Sequence, residues 1–107
     1  MRKLLVLLAV AALTVAGLLA AQAFAATKKV TIKDNFFSTS KVTVKKGDKV
    51  TWRWSGTSNP HNVTSKGHFH SATKSSGTYS KRFTKKGTFS VICTIHPSQM
   101  RMKVVVK

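Results

Sequence analysis

The chain has 107 residues, with 19 Lys and Arg against two Asp and Glu, a formal charge of +17 at pH 7, and a single cysteine. Asp34 and Asp48 are its only carboxylate side chains and both fall in turn-forming stretches, which excludes catalysis by paired acid and base; one thiol excludes an internal disulfide framework. The length admits one domain with a small core.

Met1-Arg2-Lys3 opens the chain with positive charge, and Leu4 to Ala21 follows without a charged residue, rich in Leu, Ala and Val. This is the pattern of a secretory signal peptide. Ala23 and Ala25 flank Phe24 as an Ala-x-Ala site, so residues 1–25 are expected to be removed, leaving a domain of residues 26–107, 82 residues long. The apolar stretch is nearly long enough to span a bilayer, which makes an uncleaved anchor the alternative. Either way the expected location is beyond the cytoplasm: periplasmic, extracellular or at the cell surface.

Val, Thr, Lys, Ser and Phe dominate thereafter, apolar residues alternate with polar ones, and no run has a helical period; this predicts an all-β domain. Val30 and Ile32 alternate with Thr31 and Lys33 as a first strand, broken by Asp34-Asn35 ahead of Phe36-Phe37. Lys41 to Val44 is a second strand, and Lys45-Lys46-Gly47-Asp48 a turn in which Gly47 is free to take positive φ. Lys49 to Ser55 resumes the alternation with Val50, Trp52 and Trp54 on one face, so both tryptophans are expected in the core. Gly56 to Pro60 is a loop, and His61 to Thr64 a short strand entered from it. Ser65 to Ser76 is polar and reads as the longest irregular stretch. Its His68 and His70 read as solvated histidines, with a weak second metal site as the alternative. Thr78 to Phe83 alternates again, and Lys85-Lys86-Gly87 turns the chain. Phe89, Val91 and Cys93 then share one face, which points the thiol inward. Met100 to Val106 closes the domain. About seven short strands with regular turns predict a Greek-key antiparallel β-sandwich or barrel.

Cys93-Thr94-Ile95-His96-Pro97-Ser98-Gln99-Met100 brings a thiol, an imidazole and a thioether into one loop. A lone cysteine is more often a small buried hydrophobe than a ligand, but the three donors together suit copper. Thiolate and thioether favour Cu(I), imidazole accepts either oxidation state, and His₂Cys with a weak axial Met is the blue-copper electron-transfer set. His61, in Asn59-Pro60-His61-Asn62-Val63, is the candidate second histidine, closing on the metal from another strand. Asn62 beside it is placed to hydrogen-bond across to the Cys93 loop. For the axial position Met100 is preferred to Gln99 and Met102: an amide oxygen replaces Met in some blue-copper sites, and Met102 reads as part of the final strand.

The runs Gly47-Asp48-Lys49-Val50-Thr51-Trp52, Pro60-His61-Asn62-Val63, Gly87-Thr88-Phe89 and Cys93-Thr94-Ile95-His96-Pro97 with Met100 resemble the plastocyanin and pseudoazurin group of small cupredoxins, over essentially all of residues 26–107. The resemblance implies a Greek-key β-sandwich with one type 1 copper near one end, ligated by His61, Cys93, His96 and Met100. It also implies one-electron transfer. The chain departs from the group's pattern at Met102, where Gly is frequent, at Val91, where an aromatic is common, and at Trp54, where Asn is frequent. None of these removes a ligand, and Met102 adds a second methionine to weigh for the axial place.

Without Arg2 and Lys3, 17 basic residues stand against two acidic ones, a formal +15 for residues 26–107. That charge points to acidic partners: a redox protein with an acidic docking surface, or an anionic membrane surface. Nucleic acid is not expected, because export separates the chain from it and no aromatic-basic interleaving or recognised binding motif is present. Lysines at outward strand positions also block edge-to-edge pairing, consistent with a monomer. The expected function is an exported type 1 copper protein that shuttles single electrons between redox partners and is not an enzyme. The competing reading uses the same ligands for copper delivery or resistance without redox turnover, and calls for Met-rich or His-rich tails, which the sequence lacks.

Overall fold

Alternating apolar side chains need a second layer to cover them, and this sequence supplies it from its own strands. The computed structural model describes residues 25–107, so the expected signal peptide lies, except for Ala25, outside the described residues. Among these residues there is no helix. The strands are β1 (Thr27–Lys33), β2 (Phe36–Phe37), β3 (Lys41–Val44), β4 (Lys49–Trp54), β5 (Thr64–Ser65), β6 (Phe69–His70), β7 (Gly77–Arg82), β8 (Gly87–Ile92) and β9 (Arg101–Val106). They form two sheets, ordered β2-β1-β4-β7 and β3-β9-β8-β5-β6, and the chain passes repeatedly from one sheet to the other. The all-β sandwich is as expected. Its pairing is mixed rather than wholly antiparallel, because β1 runs parallel to β4 and β3 parallel to β9.

Val30 and Ile32 of β1, Val50, Trp52 and Trp54 of β4, and Met102, Val104 and Val106 of β9 turn their side chains into the space between the sheets. Trp52 is fully buried, with its ring 6.1 Å from Phe69 and 5.9 Å from Tyr79. Its indole Nε1–H donates to Met102 Sδ at 3.3 Å, tying the two sheets together. Burial of aromatic and branched side chains of this size stabilises by about 1.5–3 kcal/mol each.

Strand direction gives the sandwich two ends, about 20 Å apart for six-residue strands. One end gathers Ala26, the turn Lys45–Asp48, the segment after β7 and the start of β8. Gly47, at φ 95°, takes the positive angle expected of it, and Asp48 N–H donates to Lys45 O at 3.0 Å. The buried Asp48 carboxylate accepts Ala26 N–H at 2.8 Å and Lys45 N–H at 2.9 Å. The other end gathers the Asp34-Asn35 turn, the loop after β4 and the loop between β8 and β9.

Three segments differ from expectation. Instead of a strand over His61 to Thr64, His61 forms an isolated bridge with Lys74, and pairing begins only at Thr64. A side chain takes half of the pairing there: Val63 N–H donates to Ser71 Oγ at 2.8 Å, while Val63 O accepts Ser71 N–H at 2.8 Å. The stretch expected to be irregular contains the β5–β6 hairpin, in which Phe69 is the inward residue. Finally, β9 begins at Arg101 rather than Met100, because the Met100 backbone closes the preceding loop.

Candidate metal centre

Cys93 follows the last residue of β8 and is fully buried, as its parity with Val91 predicts. The loop after it is shaped by its own backbone. His96 N–H donates to Cys93 O at 3.2 Å, Met100 N–H to His96 O at 2.9 Å, and Cys93 N–H to Met100 O at 3.2 Å. This folds the segment so that Cys93, His96 and Met100 return to the same end of the sandwich. Asn62 clamps it from outside, with Nδ2 donating to Thr94 Oγ1 at 2.7 Å and Oδ1 accepting Thr94 N–H at 3.1 Å. The cross-loop role expected of Asn62 is thus present.

His61 is held on three sides. Its backbone exchanges hydrogen bonds with Lys74 at 2.9 and 3.0 Å, and its carbonyl accepts the Trp54 indole N–H at 3.2 Å. Its Nε2 lies 2.9 Å from Asp34 Oδ1. An ionised carboxylate only accepts, so Nε2 donates to it and Nδ1 is the ring nitrogen turned toward the cluster. That Nδ1 faces Cys93 Sγ at 4.0 Å, while His96 Nδ1 lies 3.9 Å from the same sulfur. The two imidazole centroids are 5.1 Å apart. One donor atom from each of His61, Cys93 and His96 lies within 4.8 Å of the others, close enough to share one ion.

Met100 is fully buried at the end of this loop, whereas Gln99 is exposed and the Met102 sulfur is engaged by Trp52. His68 and His70 stand apart from the cluster: both are exposed, and His68 packs edge-on against Phe89 at 5.0 Å. The residue that sequence reasoning missed is Asp34. Read only as a strand breaker, it accepts the backbone N–H groups of Ser58 at 2.9 Å and Asn59 at 3.1 Å as well as the His61 ring. These bonds, the one from Ser58 foremost, hold its carboxyl down at about 2. Its rarity was the available signal, since only two carboxylates serve so basic a chain.

One buried thiol with two imidazoles and a neighbouring thioether suits a soft, one-electron metal better than a hard cation, and a sandwich carrying that set at one end defines a small copper protein of the cupredoxin type. Comparison with known proteins agrees. The profile of the copper binding proteins of the plastocyanin/azurin family matches residues 25–107. Amicyanin-alpha of Methylorubrum extorquens is 39% identical over 111 residues, covering 92% of this chain and 88% of that one. Among solved structures, a Cu(I) form of a methionine-to-alanine variant of amicyanin superposes with a TM-score of 0.66 at 34% identity, over 76% of this chain and 82% of its own. A reduced tryptophan-to-tyrosine variant of amicyanin gives 0.67 at 33% identity, over 82% and 89%. The chain belongs to the plastocyanin/azurin family of copper-binding proteins, which carry electrons and are not enzymes.

Proposed function

We propose that the chain is an exported carrier of single electrons, with one copper held by His61, Cys93, His96 and Met100. The observation that carries this reading is the convergence of His61 Nδ1, His96 Nδ1 and Cys93 Sγ at one end of a closed sandwich. Copper bound there supplies a Cu(I)/Cu(II) couple. The chain's own residues supply the rest. Cys93, His61 and Met100 are fully buried, which keeps water and oxidants from the thiolate. His96 alone of the four is partly exposed, beside exposed Ile95 and Pro97, and so offers the route by which an electron reaches a partner. Asn62, Asp34 and the Lys74 backbone fix the donors in place, so little reorganisation accompanies a change of oxidation state.

The partner is a redox protein with an acidic docking surface, met by a monomer; Lys33, Lys74 and Arg101 stand near the metal end. Removal of residues 1–25 and release to the periplasm or cell exterior fit the N-terminal sequence. Adding Cu(II) to the purified chain and recording the visible spectrum tests the site. An intense blue thiolate-to-copper band at one copper per chain is expected, and Cys93→Ala should abolish it. Survival of the colour in that variant, or only weak absorption from the parent, would refute the assignment.

A further inference from the structure

The charge of this domain is not spread evenly between its two ends. Four adjacent lysines, Lys45-Lys46 and Lys85-Lys86, sit in the turns that close the end opposite Cys93, and all four are exposed. Lys28 and Arg82 are exposed beside them, Arg82 donating to Gly47 O at 2.6 Å. The backbone holds these turns as one surface: Gly47 N–H donates to Phe83 O at 2.7 Å and Phe83 N–H to Asp48 O at 2.9 Å. The only carboxylate side chain there, Asp48, accepts the Ala26 and Lys45 N–H groups and offsets one of these charges, which leaves the end strongly positive. The chain also enters the fold at this end, since Lys49 N–H donates to Ala26 O at 2.9 Å. The sequence before Ala26, which includes the apolar run Leu4 to Ala21, therefore connects to the domain at its lysine-rich end.

We infer that the end formed by Lys45, Lys46, Lys85 and Lys86 is a docking surface for an anionic lipid bilayer, which holds the domain with its Cys93–Met100 loop turned toward the aqueous phase. A polybasic surface is attracted within a Debye length of anionic headgroups. A retained apolar segment connected through Ala26 and a polybasic patch at that end supply the two signals that membrane attachment takes, and after removal of residues 1–25 the patch alone gives weak, reversible attachment. A membrane is favoured over a protein partner because the surface lies at the far end from the electron route. A redox protein docked on it would be separated from His96 by the length of the strands. The proposal does not require copper, so its failure and that of the electron-carrier reading are told apart.

The test uses residues 26–107, which contain all nine strands and correspond to units solved as folded amicyanin chains. Co-sedimentation is measured with phosphatidylcholine vesicles with and without phosphatidylglycerol. Binding is expected only with phosphatidylglycerol and should be released by salt. Replacing Lys45, Lys46, Lys85 and Lys86 together by Gln should weaken it about a hundredfold or more, since each basic residue near an anionic surface contributes about fivefold. Replacing Lys33, Arg53, Lys66 and Arg101 by Gln removes the same charge elsewhere and should leave most of the binding. Circular dichroism of both variants checks that the fold is kept. Equal binding to both vesicle types, equal loss in the two variants, or retention on DNA or an acidic protein without vesicle binding would overturn the proposal.

Discussion

Asp34 occupies one nitrogen of His61 and so decides which nitrogen faces Cys93. A carboxylate on the outer N–H of a ligating imidazole raises its basicity and favours the more highly charged metal ion. Asp34→Asn is expected to weaken Cu(II) binding by about 10–100-fold and to raise the reduction potential, by about 59 mV for each tenfold loss confined to Cu(II). Copper competition and spectroelectrochemistry would measure both, and an unchanged potential would reduce Asp34 to a clamp on the Ser58-Asn59 loop. A second expectation concerns the two buried methionines. Met100→Gln replaces a weak thioether by a hard oxygen, so it should lower the potential while leaving a blue or green site. Met102→Leu should leave the potential unchanged and instead lower the melting temperature, because the Met102 sulfur packs against Trp52. The reverse outcome would move the axial role to Met102.

Among the structural elements, the turn Lys45–Asp48 joins β3 of one sheet to β4 of the other and is closed by the Asp48 carboxylate. The Ala26 N–H, and after it that of Lys45, hold this carboxyl below its usual value of 3.8. A carboxyl depressed in the folded state stabilises above its unfolded pKa and loses that contribution as pH falls below about 4. Asp48→Asn should therefore lower the melting temperature at neutral pH and make its decline in acid shallower. Thermal unfolding at about pH 7 and pH 3 would show this; parallel curves for the two proteins would contradict it. Removal of residues 1–25 would turn Ala26 N into an ammonium facing the same carboxylate and strengthen the contact. Period-two alternation made β3, β4, β8 and the inward set Val50, Trp52, Trp54 and Cys93 legible in the sequence. The spacing of Cys93, His96 and Met100 did the same for their shared loop. What alternation does not encode is which distant segments pair. The parallel pairs β1–β4 and β3–β9, the β5–β6 hairpin with its single inward Phe69, and the reach of Asp34 to His61 all depend on contacts across 22 or more residues, or on one apolar residue between polar ones.

For the molecule taken whole, +15 of formal charge on residues 26–107 creates a field that salt screens over about 8–10 Å. Electron exchange with an acidic redox protein should slow steeply as ionic strength rises, and exchange with a basic one should be slow at low salt and quicken. Stopped-flow rates with both kinds of partner at two salt concentrations would check it; rates indifferent to salt would leave the lysines as solubility features. The sheet order carries a further consequence. β1, the first strand, lies between β2 and β4, and β9, the last, lies between β3 and β8. The five-stranded sheet is not whole, and the four-stranded sheet lacks its complete covering layer, until Val106 is in place, so a chain emerging from the ribosome cannot lock into its native state before synthesis of the domain is nearly finished. Such a delay keeps the chain threadable while it is being made, which suits the export proposed for it. Cys93 lies between β8 and β9, so its thiol is enclosed only once the last strand has been added.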